Sequence, residues 1–165
     1  MLVMLVVLTA CASETSGRPA PAQDDEAPSE SGSTSSEPSA STAAERLEIR
    51  TGDVRLVATL RDTAAARDLR AQLPARLTMR DHGGVEKTGR LKRPLIVTGE
   101  PGGADPDVGD IGYYGPDQDL VLYYGDQSYF DGIVILGRLE GDVAALADLE
   151  GDIDVQVSSL DRNDN

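Results

Sequence analysis

The single histidine of the chain, His82, follows Asp81 and precedes Gly83-Gly84. An imidazole exchanges a proton near neutral pH and a neighbouring carboxylate can orient it, so this pair could act as a general acid or base. Sequence neighbours in a tight turn seldom reach the geometry that proton transfer needs. We therefore interpret His82 as an exposed turn residue without a catalytic role.

Three aspartates, Asp105, Asp107 and Asp110, lie close together in a segment rich in glycine and proline. Oxygen ligands at this spacing could hold calcium weakly. The EF-hand pattern is not met, because the twelfth position counted from Asp105 is Pro116 instead of glutamate. We interpret the segment as a solvated acidic loop and expect no metal site. One cysteine and one histidine also exclude a Cys/His zinc site.

All five tyrosines and the only phenylalanine lie between residues 113 and 130. A ring with a polar tip suits a ligand groove, and it suits a barrel core equally well. Because successive strand residues point to opposite faces, one tyrosine of each adjacent pair must face outward. The candidate ligand-binding residues are Tyr114, Tyr123, Tyr124, Tyr129 and Phe130.

The N-terminus is an apolar stretch, residues 1–8, followed by Thr9, Ala10 and the only cysteine, Cys11. Such a stretch is typical of an export signal over residues 1–10. Residues 8–11 resemble the lipobox of bacterial lipoproteins. The resemblance implies cleavage before Cys11 and a diacylglycerol on its thiol. The alternative is a buried structural cysteine in a cytoplasmic protein. No Lys or Arg precedes the run, so we expect the true start to lie upstream or to be wrongly assigned.

Residues 11–44 are predicted to be the lipidated cysteine and a disordered tether. The 33 residues from 12 to 44 contain no Val, Ile, Leu, Met, Phe, Tyr or Trp, and six of them are acidic. Without large apolar side chains, no burial offsets the ordering of the backbone. A flexible coil of this length spans on the order of 30 Å. Residues 161–165 are predicted to be a polar tail.

Residues 45–160 are predicted to form one mainly β domain, because their apolar residues mostly alternate with polar ones. The predicted strands cover residues 47–49, 54–60, 77–79, 111–114, 120–124, 133–136 and 153–157, with a hairpin turn at Gly52-Asp53. The glycine- and proline-rich segment 99–110 is expected to hold no regular element.

Two short helices are predicted between these strands. The first covers residues 63–72, with Asp62 or Thr63 as its N-cap and Pro74 as its stop. The second follows Asp142 as N-cap. On it Val143, Leu146 and Ala147 are expected to share one face.

Residues 46–158 resemble the bacterial cyclophilin-like small-domain family. The resemblance rests on residues 109–114, 120–124 and 130–139, together with residues 63–69, Leu73-Pro74, residues 77–79 and Glu86-Lys87. It implies a cyclophilin-like β-barrel of eight strands, closed or nearly closed, with two short capping helices. The fold is related to that of the cyclophilin prolyl isomerases, although the activity of the family is largely unassigned.

Prolyl isomerase activity is only partly supported by this resemblance. The segment after Asp131-Gly132 is similar to one that carries a pocket histidine in true cyclophilins, but Ile133 and Val134 stand there instead. Tyr129 occupies the place of the pocket tryptophan. No Phe-His-Arg segment supplies the arginine that holds the substrate carbonyl, and Arg93 lies in a loosely similar region. Arg93 and Tyr129 are therefore weak catalytic candidates, and we lean toward a protein that is not an enzyme.

The net charge of -14 argues against a general nucleic-acid binder. We expect a monomeric domain on a lipid anchor at the outer face of a bacterial cytoplasmic membrane, or facing the periplasm. It would bind a peptide or a small molecule without catalysis and without a cofactor beyond the covalent diacylglycerol. The alternatives are a weak prolyl isomerase acting on exported proteins and a structural subunit of an envelope complex.

The lipobox predicts that Cys11→Ser prevents lipid attachment, because the thiol is the acylated nucleophile. In a bacterial host, the wild-type chain should partition into the detergent phase and carry the mass of a diacylglycerol. The Cys11→Ser chain should stay in the aqueous phase, and Ser13→Ala should behave as wild type. Membrane association and processing of Cys11→Ser equal to those of wild type would contradict the prediction.

Overall fold

The computed structural model describes residues 45–160. The predicted export signal, Cys11 and the predicted tether lie outside the described residues, as does the predicted tail at residues 161–165. Within residues 45–160, no helix has the length and apolar character that crossing a membrane requires.

Eight antiparallel strands form a closed barrel, which confirms the predicted fold class. Residues 45–160 contain ten strands, eight in the barrel and two in a small separate sheet. In chain order they are β1 Arg46–Thr51, β2 Val54–Leu60, β3 Ala75–His82, β4 Glu86–Arg90, β5 Gly103–Ala104, β6 Asp110–Tyr114, β7 Asp119–Tyr123, β8 Phe130–Asp131, β9 Ile133–Glu140 and β10 Ile153–Leu160. Around the barrel the order is β1-β10-β3-β4-β7-β6-β9-β2, and β5 pairs with β8 in a separate two-stranded sheet. Closure gives each barrel strand two neighbours and leaves no open edge in the barrel.

The predicted first helix is present as α1, Ala64–Arg70. Of the two candidate caps, Thr63 makes the capping bond, because its hydroxyl accepts from the Ala66 amide at 3.3 Å. Ala65 and Leu69 are fully buried and belong to the core cluster inside the barrel. The apolar spacing of the helix therefore predicted its buried face correctly.

The second helix differs from the prediction. Val143–Leu146 is a single turn of 3-10 helix, and Asp142 makes no side-chain capping hydrogen bond. Leu146 is buried, whereas Ala147 is exposed. Val143 packs against the core beside Leu146, so two of the three residues of the predicted apolar face are in place. With four residues, the turn is too short to bring Ala147 onto that face.

Two local expectations were wrong, and a third was right in part. Strand β4 was not predicted, because it places polar residues on both faces of the barrel wall. The segment 99–110 does contain a regular element, because Gly103 and Ala104 pair with β8. His82 is exposed and opens the turn, because its carbonyl accepts from the Val85 amide at 3.4 Å, but it is also the last residue of β3. Gly83 and Gly84, within the turn, have φ angles of +65° and +70°.

The barrel interior is filled by alternate residues of each strand. On β7, Leu120 and Leu122 face the core, while Val121 and Tyr123 belong to a second apolar cluster on the outer face. A bulge in β9 then reverses the alternation, because Ile111 pairs with Gly137 but Gly112 pairs with Ile135.

One end of the barrel is closed by a polar cluster around Lys87, whose side chain is 1% exposed. The Lys87 ammonium donates to Asp81 at 2.9 Å and to the Leu149 carbonyl at 2.6 Å. The Tyr124 hydroxyl donates to the same Asp81 carboxylate. These two donors lower the pKa of Asp81 to about 2. Burial and the hydrogen bond to Asp81 raise the pKa of Tyr124 to about 12.

Gly137 is predicted to be intolerant of any side chain. A Cβ there would lie 2.2 Å from the Thr59 carbonyl oxygen and 2.9 Å from the Leu60 Cα, and both belong to the backbone of β2. Gly137→Ala should lower the free energy of unfolding by about 3 kcal/mol.

Gly102 provides the matched control, because a Cβ there meets nothing within 4 Å. Gly102→Ala should change the free energy of unfolding by no more than about 0.5 kcal/mol. Urea denaturation followed by circular dichroism measures both changes. Equal midpoints for the two variants would be inconsistent with the close approach of β9 and β2.

Candidate functional site

A cleft of about 260 Å³ lies on the outer face of the barrel. We call it the outer cleft. Its walls come from β3, β4, β7, β6 and β9, and from the segment that precedes β9. Its lining residues are Arg80, His82, Glu86, Thr88, Tyr114, Asp117, Asp119, Val121, Tyr123, Gln127, Phe130 and Ile133.

The strand register arranges these side chains in rows across the sheet. His82 pairs with Glu86, which pairs with Tyr123. The next row begins with Arg80 and continues through Thr88 to Val121. A further row joins Asp119 to Tyr114 and Tyr114 to Ile133. Polar side chains therefore form one wall of the cleft and apolar side chains the other.

The apolar wall is an extension of the second hydrophobic cluster, which consists of Val121, Tyr123, Ile133 and Ile135 with Ala104 and Tyr114 packed against it. The Tyr114 and Phe130 rings meet edge to face, with centroids 5.8 Å apart and an angle of 61°. Phe130 nevertheless remains 54% exposed. An exposed ring held by a second ring offers apolar surface to a ligand.

Tyr123 is only 1% exposed although it lies on the outer face of the barrel. Its ring occupies the space that a side chain at Gly112 would take, because a Cβ there would lie 2.9 Å from the ring. Burial raises the pKa of the Tyr123 phenol, and the nearby Glu86 and Asp110 carboxylates raise it further. Tyr123 is therefore a neutral phenol at the floor of the cleft.

The polar wall contains two carboxylates with raised pKa values. Burial raises the pKa of Glu86, with Asp119 and Asp81 adding to the rise and His82 opposing it. Burial also raises the pKa of Asp119, and Asp117 adds to that rise. Ionised carboxylates at these positions are less stable than in water, which is typical of binding and catalytic sites.

The structure brings three of the predicted ligand-binding residues, Tyr114, Tyr123 and Phe130, into the outer cleft. Tyr124 lies instead in the polar cluster around Lys87. Tyr129 is 59% exposed and is absent from the cleft lining. Its ring packs against Gly103, where a Cβ would lie 2.6 Å from the Tyr129 hydroxyl.

Arg93, the other weak catalytic candidate, lies away from the outer cleft. Its guanidinium donates to Asp68 of α1 at 2.8 Å. The same Asp68 carboxylate accepts from the Ile96 amide at 3.0 Å. Arg93 lines a separate depression together with Gln72 and Pro74. The structure therefore does not unite Arg93 with the aromatic residues.

Arg80, Glu86 and Asp119 were not among the candidate residues. Each is a charged residue on a strand, which in a sequence is typical of a solvent-facing position. Their proximity depends on the pairing of β3, β4 and β7, and no local pattern shows that pairing. Only a correct register for the polar strand β4 would have revealed them.

The acidic loop is less solvated than expected. Asp110 is 6% exposed and accepts from Arg138 at 3.0 Å and from the Asp107 amide at 3.0 Å. The charge of Asp110 is therefore used to hold the start of β6 against β9. Among residues 45–160, no group of three or more His, Cys, Asp or Glu side chains is arranged to hold a metal ion.

The model of the cyclophilin-like family matches residues 49–158, so the chain belongs to the cyclophilin-like family. No curated protein matches the chain.

The solved structures that are similar to it include the following two. The solution structure of the hypothetical protein AF2241 from Archaeoglobus fulgidus has a TM-score of 0.58 and 19% identity, covering 71% of this chain and 95% of that one. The structure of McbB in complex with tryptophan has a TM-score of 0.53 and 17% identity, covering 72% of this chain and 45% of that one. The chain thus spans less than half the length of McbB. At these identities the similarity establishes the fold.

Glu86→Gln is predicted to stabilise the domain at about pH 7. Because the pKa of Glu86 is raised above its ordinary value of 4.5, ionised Glu86 disfavours the folded state. That penalty is complete above the folded-state pKa. It disappears below about pH 4, where the folded and unfolded chains both carry a protonated carboxyl. The melting temperature of Glu86→Gln should exceed that of wild type near pH 7 and equal it near pH 3.

Glu150→Gln is the control for this comparison, because Glu150 is exposed. It should leave the melting temperature unchanged at both pH values. A lower melting temperature of Glu86→Gln near pH 7 would mean that ionised Glu86 has a stabilising partner.

Proposed function

We propose that the domain is a non-catalytic binding module whose outer cleft takes an apolar or aromatic group of an extended peptide or a small molecule. The observation that carries the proposal is the exposed Phe130 ring, held edge to face by Tyr114 above the buried Tyr123. Ligand pockets are typically concave and lined by apolar and aromatic side chains with a few polar groups, as this cleft is.

The volume of the cleft, about 260 Å³, limits the size of the ligand. It is close to the lower end of the range for small-molecule pockets, roughly 300–1,000 Å³. One peptide side chain or one small aromatic molecule would fill it. McbB, which shares the fold, is in complex with tryptophan, and for this reason the proposal includes small aromatic molecules.

We further propose that the binding domain is tethered to a membrane. The lipobox resemblance at residues 8–11 and the composition of residues 12–44 support this proposal. A diacylglycerol on Cys11 would hold the chain at the outer face of the cytoplasmic membrane. The acidic residues of the tether would be repelled by anionic headgroups, which would keep the domain away from the bilayer surface.

Weak prolyl isomerisation is a second candidate function, because Arg80 lines the outer cleft. Isomerisation requires a guanidinium or similar donor beside an apolar pocket, to stabilise the twisted amide. Arg80 supplies such a group where Arg93 does not. Arg80 is exposed, however, and a mobile donor is less effective than a preorganised one.

One titration separates binding from catalysis. Acetyl-Ala-Ala-Pro-Phe-amide is added to the ¹⁵N-labelled full chain carrying Cys11→Ser, while exchange spectra follow the cis and trans forms of the peptide. The binding module predicts shifts at the amides of Val121, Tyr123 and Phe130 without acceleration of exchange. Acceleration that disappears in Arg80→Ala would establish the isomerase instead. Absence of any shift would overturn peptide binding.

A matched pair of variants locates the binding surface. Phe130 and Ile96 are exposed to similar extents, 54% and 56%, but only Phe130 lines the outer cleft. Phe130→Ala should weaken peptide binding about five- to tenfold. Ile96→Ala should leave it unchanged. A loss of affinity in Ile96→Ala alone would place the binding surface elsewhere.

A further inference from the structure

Glu86 is a buried carboxylate that the protein itself does not neutralise. Its residue is 8% exposed, and it occupies an outward position of β4 in the lining of the outer cleft. No described side chain or backbone amide donates a hydrogen bond to the Glu86 carboxylate. Its pKa is affected only by burial and by the charges of nearby residues. An ionised carboxylate in such a place costs free energy unless a partner is supplied.

The neighbours of Glu86 do not provide that partner. On β3, His82 is opposite Glu86 in the register, but the two form no salt bridge within the described part of the chain. On β7, the neighbour is the neutral phenol of Tyr123, and farther along lies the carboxylate of Asp119. Arg80 lines the same cleft, but it forms no salt bridge with Glu86 in the described part of the chain. The Glu86 carboxylate therefore has no cation in hydrogen-bond contact among residues 45–160.

The rest of the cleft favours a positively charged group. Three carboxylates line it, those of Glu86, Asp117 and Asp119, against the one guanidinium of Arg80. Three aromatic rings, those of Tyr114, Tyr123 and Phe130, line it as well. Aromatic faces attract cations, and the attraction grows as water is excluded. The chain as a whole carries a net charge of -14, which raises the local concentration of cations.

We propose that the outer cleft selects ligands with a cationic group, an alkylammonium or a guanidinium, attached to an aromatic or apolar body, and that Glu86 is the ion-pair partner of this group. The ring of the ligand packs on the apolar wall beside Phe130, and its cation reaches Glu86 on the polar wall. The inference rests on the proposed binding function of the cleft and specifies the chemistry of its ligand.

Three probes of similar size test the selection. They are 2-phenylethylammonium, the neutral 2-phenylethanol and the anion 3-phenylpropionate, and they share a phenyl ring but differ in charge. Each is titrated into the ¹⁵N-labelled full chain carrying Cys11→Ser, and dissociation constants are taken from the shifts of cleft amides. The ammonium should bind about tenfold more tightly than the neutral probe, because a charge-assisted hydrogen bond to Glu86 is added. The anion should bind most weakly.

Glu86→Gln keeps the shape of the side chain and removes its charge. In this variant the ammonium and the neutral probe should bind with equal affinity. The exposed Glu150→Gln should retain the tenfold preference, which controls for the change in net charge. A preference that survives in Glu86→Gln would overturn the role of Glu86.

The failures of the two proposals are distinguishable. If all three probes shift the cleft amides with equal affinity, the cleft binds ligands but does not select cations, and the inference is wrong. If neither these probes nor acetyl-Ala-Ala-Pro-Phe-amide shifts any cleft amide, the binding function itself is wrong.

Discussion

Closure of the barrel divides every strand into an inner and an outer set of side chains, and the remaining features depend on that division. The inner set of the eight strands fills the core. The outer set meets solvent over much of the wall, as at Arg76, Thr78 and Asp154. On β7 and β9 the outer set includes apolar residues such as Val121 and Ile135, which other residues must shield from water. Ala104 of β5 packs against this apolar cluster, and the outer cleft lies where Val121 and Ile133 of the cluster line a cavity.

Two glycines make this arrangement possible, and each acts through the absence of a side chain. Gly137 allows β9 to approach the backbone of β2 at the bulge, where the alternation of β9 reverses. Gly112 leaves a space in the outer face that the Tyr123 ring occupies. An aromatic ring therefore forms the floor of the cleft, and Glu86 pairs with it in the strand register at 8% exposure.

Much of the fold was predictable, because its apolar strands alternate clearly. β1 and β2 form the predicted hairpin, and the apolar runs at β6, β7, β9 and β10 predicted strands that are present. Alternation also predicted that one tyrosine of each pair faces inward, as Tyr113 does in the core. It did not predict that the outward Tyr123 would be buried more deeply than Tyr124, because this depends on Gly112 of a different strand. The polar wall of the cleft was not predictable, because Arg80 and Glu86 become neighbours only through the pairing of β3 with β4.

The outer cleft depends on β7 presenting Leu122 to the core and Tyr123 to the outer face. A slip of one residue in the pairing of β7 would exchange the two faces and remove the cleft. Nuclear Overhauser effects from the Tyr123 ring protons measure this orientation directly. We expect strong effects to the two Hα protons of Gly112 and none to Met79 in the core. Effects from the Tyr123 ring to Met79, with none to Gly112, would contradict it.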